Sequence, residues 1–190
     1  MILDENIALE SAMLALPETH PQHGLNRAII GGNEAVAVAL RILEATYRDV
    51  EFDAAAYARG VEDGLRRAEQ GIGDGEKAAD ALTASFAGRP AMTPQDRYSK
   101  EFIVRLVEAY QRAFEVERRV AAIERDFLEF LKTVSNGSEP KEGEDFAVRA
   151  VSFQADLELA TADRMAEQMA RLQMVQEYAR TLQSMSGEGG

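Results

Sequence analysis

The sequence predicts an all-α protein: a small N-terminal helical bundle followed by a long antiparallel, coiled-coil-like helical hairpin. Three observations carry this expectation. Stepping alternately four and three residues from Phe102 lands on Leu106, Ala109, Ala113, Val116, Val120, Ile123, Phe127, Phe130 and Val134, an apolar residue every time. That is a heptad stripe, the signature of a long helix with one packed seam. A second apolar track of similar length runs from Phe146 to Leu182. The chain is also rich in Ala, Glu, Arg, Leu, Gln and Met, has no Trp, and has five prolines in 190 residues, which is helix-forming usage.

The elements follow in order. Asp4 is placed to cap a short helix whose apolar face is Ile7, Ala8, Ala12, Met13 and Leu16, and Pro17 ends it. The stretch 17–24, "PETHPQHG", reads as a loop. Gly31-Gly32 with Asn33 as cap predicts the start of a second helix, with Val36, Ala39, Leu40, Leu43 and Tyr47 along one side. Asp53 is the expected cap of a third helix carrying Tyr57, Val61 and Leu65. A fourth, from about Gly75 to Ala87, presents Ala78, Ala81, Leu82 and Phe86. "AGRPAMTP" breaks the pattern, so residues 1–90 are expected to form a bundle of short helices.

Thr93-Pro94-Gln95-Asp96 combines a capping threonine, a proline at the first helical position and an acid three residues on, which predicts the head of the first long helix. A second stripe, Ile103, Val107, Tyr110 and Phe114, flanks the first and meets Glu117, so the early half is expected to be buried on a wider face than the later half. A helix over 94–134 would be about 60 Å long at 1.5 Å per residue, so part of it should project or be covered by another chain. "SNGSEPKEGED" over 135–145 reads as a polar turn. The second long helix then carries Phe146, Ala150, Phe153, Leu157, Thr161, Met165, Met169, Leu172, Val175, Ala179 and Leu182, with a run of four-residue steps that predicts a heptad slip. Two long helices of similar length joined by a short turn should fold back on each other over 93–186. Residues 187–190 read as a flexible tail.

Little in the sequence points to chemistry. "GIGDGEKAAD" over 71–80 resembles a phosphate loop at first glance. Such loops join a strand to a helix, however, and no Gly-x-x-x-x-Gly-Lys-Ser/Thr pattern is present. As a cation loop it offers Asp74, Glu76 and Asp80 without the dense oxygen spacing of an EF-hand. The preferred reading is a joint, with the glycines as the bend and Asp74 as the next cap. The only histidines, His20 and His23, lie beside prolines and lack companion metal ligands. Glu117 and Glu124 continue the second stripe. As a buried pair they would bind Mg²⁺ or titrate abnormally, and the favoured alternative is that their flank meets solvent or arginines such as Arg164 and Arg171. With no cysteine, no thiolate nucleophile, disulfide or cysteine-ligated metal can form. No Gly-x-Ser-x-Gly elbow occurs.

The formal charge of −12 disfavours nucleic acid and anionic lipid as partners. No apolar run approaches a membrane span, and acid stands near the N-terminus where a signal peptide carries base. The cytoplasm is therefore the default expectation, with signal-less export or virion incorporation left open. No catalytic residue, cofactor or metal site is predicted. The expected function is a non-enzymatic structural or adaptor subunit that assembles through helix packing, as a homo-oligomer or part of a larger bacterial or viral complex. Its assembly seam or partner-facing residues are expected to be Phe102, Leu106, Val116, Val120, Ile123, Phe127, Phe130, Phe153, Leu157, Met165, Met169 and Leu172. The competing expectations are an acidic helical module that occupies a basic partner surface, as a chaperone or inhibitor would, and an all-helical Mg²⁺-dependent enzyme.

Overall fold

Helix starts are set by local chemistry. Pro21 stands at the first position of a helix, where its missing N–H is not needed, and His20 Nδ1 accepts the Gln22 N–H at 3.1 Å. Thr93 and Asp96 make the expected reciprocal pair. The Asp96 N–H donates to Thr93 Oγ1 at 3.1 Å and the Thr93 N–H to Asp96 Oδ2 at 2.8 Å. The Thr93 hydroxyl beside the Asp96 carboxyl, and then the Thr93 N–H that donates to it, hold that carboxyl below its ordinary range. The computed structural model describes residues 2–47, 54–135 and 146–187. It has five helices and, among the described residues, no strand: α1 (Ile2–Leu14), α2 (Pro21–Tyr47), α3 (Ala54–Ala87), α4 (Pro94–Ser135) and α5 (Phe146–Gly187).

Two expected joints are absent. Gly31 and Gly32 lie inside α2 rather than before it, and Gly71, Gly73 and Gly75 lie inside α3. The four short N-terminal helices are therefore one short helix and two long ones. The expected Asp53 cap, the turn over 136–145 and the tail from residue 188 lie outside the described residues.

Packing explains why the helices run through these glycines. Gly24, Ala28, Gly31 and Ala35 recur on α2 at steps of four, three and four, and Gly64, Ala68, Gly71 and Gly75 recur on α3 at the same steps. Run antiparallel, the two sets face each other pairwise, Gly24 with Gly75, Ala28 with Gly71, Gly31 with Ala68 and Ala35 with Gly64. A Cβ added at Gly31 would stand 2.5 Å from the Ala68 backbone nitrogen, and one at Gly71 would stand 2.5 Å from that of Ala28. The backbones are thus in contact, and each glycine's helical cost of about 1 kcal/mol is offset by dispersion along the seam. Gly75 has a second task, since a side chain there would collide with the ring of fully buried Phe114.

Helix α4 lies antiparallel along α3. Glu62–Lys132, Glu69–Arg125 and Glu76–Arg118 form a ladder of ion pairs at heptad spacing. Exposed pairs of this kind contribute about 0–1 kcal/mol each, so they fix register more than stability. The second stripe of α4 does not end at Glu117. It continues through Ala121, Glu124, Leu128 and Leu131, all buried, so the later half is as widely buried as the early half. Ala121 and Leu128 meet Ala35, Val61 and Leu65, while Tyr110 and Phe114 meet Leu25, Ala28 and Ile72. The first stripe turns to α5, as Phe127 stacking on Phe153 at 4.1 Å and Phe102 on Tyr178 at 3.8 Å show. Each core cluster draws residues from both sides of the 88–93 connection.

The small-residue seam yields a paired prediction. Gly71→Ala should cost about 1–3 kcal/mol by overpacking. Gly73→Ala, where an added Cβ meets nothing within 4 Å, should instead gain about 0.5–1 kcal/mol from helix propensity. Urea unfolding of the two variants beside the parent checks the opposite signs.

Candidate functional site

The α5 seam against α4 differs from the apolar track read in the sequence. Phe153, Leu157, Ala160, Arg164, Glu167, Arg171, Met174 and Tyr178 succeed one another at alternating steps of four and three, and all are buried or half-buried. The heptad does not slip. Instead, polar residues take the seam in the middle of the helix, and the apolar residues Met165, Met169 and Leu172 face outward.

The polar seam builds a buried centre. Arg164 donates through Nε and Nη2 to the two carboxylate oxygens of Glu117 at 2.8 and 2.7 Å, and through Nη1 to Asn33 Oδ1 at 3.2 Å. Asn33 Nδ2 in turn donates to Glu5 Oε2 and Asn6 Oδ1, so α1 is tied to the same centre. Asn33, expected as a helix cap, is a mid-helix bridge. Gly32 next to it leaves space for the Glu124 carboxylate and the Arg164 guanidinium, which stand 3.6 and 3.7 Å from where its Cβ would be.

Glu117 and Glu124 are 2% and 1% exposed, so their flank does not emerge into solvent. Glu117 meets Arg164, as one sequence reading expected, and neither oxygen of Glu124 has a hydrogen-bond partner. Burial pushes Glu124 well above the ordinary glutamate value, the nearby Arg164 opposes this and the Glu117 charge adds to it. Burial also raises Glu117, against the pull of Arg164. One cation stands beside two carboxyl groups, and Glu124, the one not bonded to it, is the one that burial drives furthest towards the protonated form. Among the described residues no three His, Asp or Glu side chains gather as metal ligands.

Beside this centre lies a cavity of about 210 Å³ between α1, α2, α4 and α5. Arg171, 8% exposed, forms part of its wall and stacks over the Tyr110 ring at 5.6 Å. The Tyr110 hydroxyl donates to Gln22 Oε1, and Gln22 Nε2 donates to Asn26 Oδ1.

The outer face of α5 is the other feature. Val148, Val151, Ala155, Glu158, Ala162, Met165, Met169, Leu172, Gln176 and Ala179 follow at alternating steps of three and four, and all are exposed. Glu158 is the one charge among them. Asp163, Arg164, Glu167 and Arg171 are all drawn towards α4, to Arg119, Glu117, Arg112 and Tyr110 respectively.

The structure thus divides the expected interaction residues. Val116, Val120, Phe127, Phe130 and Phe153 are buried, and Phe102, Leu106, Ile123 and Leu157 are half-buried, all inside one chain. Met165, Met169 and Leu172 are 62%, 56% and 50% exposed. The sequence names Arg164 and Arg171 only as partners for Glu117 and Glu124 and Asn33 only as a cap, and gives Gln22 and Asn26 no role, although the unbroken heptad phase from Phe153 points to both arginines as seam residues. No protein family, curated protein or solved structure matches the chain.

Two predictions test the centre. A folded-state value raised above the unfolded one means that stability is fullest below the ordinary glutamate value of 4.5. It then falls as pH rises towards the raised value, by about 1.4 kcal/mol per pH unit. Glu124→Met should remove that fall, so its stability advantage in urea should be larger at about pH 8 than at about pH 5. Arg164→Met leaves Glu117 without its cation and should cost about 3–5 kcal/mol. Adding Glu117→Leu should restore most of this, as thermal unfolding of the single and double variants would show.

Proposed function

We propose that the chain is a non-enzymatic structural or adaptor subunit that associates with further copies of itself through the outer face of α5. The observation that carries this reading is the second heptad seam, ten successive exposed positions with a single charge. It runs over about 48 Å at 1.5 Å per residue. A helix with apolar heptads on opposite sides packs on both, and only one side is covered within the chain. Exposed apolar surface of that extent marks an interaction site.

The chemistry of the face favours a second copy. A partner recognised by charge would be met with acid, yet this strip of a −12 chain carries Glu158 as its one acidic residue. Two copies meeting here place mostly uncharged surface on mostly uncharged surface. Met165 and Met169 adapt to an irregular partner, and Gln176 supplies polar edges without charge.

Met169→Glu puts a charge at the middle of the strip and should reduce the mass measured by light scattering to that of one chain. Its helical circular dichroism and melting temperature at low concentration should stay those of the parent, because Met169 touches no core cluster. Association of the parent should persist in about 1 M salt, since it does not depend on charge. A parent that remains a single chain at high concentration overturns the reading.

A further inference from the structure

We propose that the cavity between α1, α2, α4 and α5 is a binding site for a small monocarboxylate with a short apolar body, its carboxylate held by Arg171 and Asn26. The inference is independent of self-association, because the cavity lies on the inner side of α5 and the associating strip on its outer side.

Arg171 is a buried cation without a hydrogen-bonded acceptor among the described residues, and its Nη1 is buried with no partner. The two carboxylates near enough to act on it are committed elsewhere, Glu117 to Arg164 and Glu167 to Arg112. A buried guanidinium in that state is strongly disfavoured relative to one that is paired. Its burial also lowers its proton affinity. A ligand carboxylate supplies the missing charge and an acceptor for the part of the guanidinium that lines the cavity, and charge-assisted bonds to a guanidinium are the strongest hydrogen bonds available to it.

The second donor is set by a relay. Tyr110 carries Arg171 over its ring and donates its hydroxyl proton to Gln22 Oε1, which turns Gln22 Nε2 towards Asn26 Oδ1. With Oδ1 used, Asn26 is left with Nδ2 as a donor on the cavity wall, and Asn26 is itself 2% exposed. Arg171 and Asn26 both line the cavity, linked behind its wall through Tyr110 and Gln22. A guanidinium and an amide N–H are the donors that a carboxylate takes.

The apolar part of the wall is built by Leu9 from α1, Leu25 and Ile29 from α2 and Val116 from α4. A space of about 210 Å³ takes a chain of a few carbons or one ring, and not a nucleotide or a peptide. Of the acids on the wall, Glu117 and Glu167 are paired with arginines, while Glu5 accepts from the neutral Asn33 amide and keeps its charge at an exposed position, where water screens it.

The test is thermal unfolding of the full chain with butanoate, hexanoate, octanoate and benzoate, beside the matched alcohols and inorganic phosphate. At least one carboxylate should raise Tm saturably, by roughly 3–6 °C at ten times its Kd, and its alcohol should not. Arg171→Met keeps the stem and removes the charge, and should abolish the shift. Ala8→Trp, at an exposed position that lines the cavity, should plug it and abolish the shift as well, and it decides the matter if Arg171→Met does not fold. The proposal is overturned if no carboxylate shifts Tm at about 10 mM. It is equally overturned if the alcohols match the acids, or if the shift survives in a folded variant.

Discussion

Two helices can approach to backbone contact only where one carries no side chain at the crossing and the other nothing larger than a methyl, and the glycine–alanine seam between α2 and α3 meets that condition over four successive layers. The arrangement of the other helices depends on it. The pair presents to α4 a common surface narrow enough for one stripe of α4 to touch both, so that Phe114 fits over Gly75 while Leu128 reaches Ala35 and Val61. With that stripe used, the other stripe of α4 is free to take α5. A bulkier seam would move α2 away from α3 and leave part of α4 uncovered.

The same closeness accounts for the polar centre. Gly32, one residue from the seam glycine Gly31, opens a place on α2 into which Glu124 and Arg164 fit. Burying a charged group there is unfavourable unless it is paired or neutralised: Glu117 is paired with Arg164, and burial pushes Glu124 towards its neutral form. Arg164 also links α5 to α2 and, through Asn33, to α1. Geometry of this kind specifies how α5 docks: a one-turn shift along α4 would strand both the guanidinium and the Glu117 carboxylate. Asp163, Arg164, Glu167 and Arg171 are thereby gathered on its inner side. The outer strip is left with Glu158 as its single charge, so the composition of the proposed associating face is a consequence of the centre.

The legibility of the site varied with the side of the helix. Phe127, Phe130 and Phe153 were readable because apolar residues at heptad spacing and burial coincide there. On the middle of α5 they do not coincide. Following hydrophobicity leads from Leu157 to Met165 and Met169, whereas the seam follows phase, from Leu157 through Ala160 to Arg164 and Arg171. A polar residue at a seam position resembles a surface residue until the partner that neutralises it is known, and Glu117 lies 47 residues away from Arg164. The donors of the cavity were illegible for the same reason, since Gln22, Asn26, Tyr110 and Arg171 come from three helices.

By itself the sequence determined the all-α class, the two longest helices, the capped start at Thr93 and the stripe from Phe102, because each rests on interactions within a few residues along the chain. Only the tertiary structure decided the role of the glycines. In isolation Gly31-Gly32 and Gly71 to Gly75 have the lowest helical propensity in their segments and read as joints. Paired across α2 and α3 they permit a contact that no other residue allows, and the energy of that contact keeps both helices continuous. The local signal was one of weakness and the long-range one of fit, and the second prevails because the cost of each glycine is small against a seam of packed backbone.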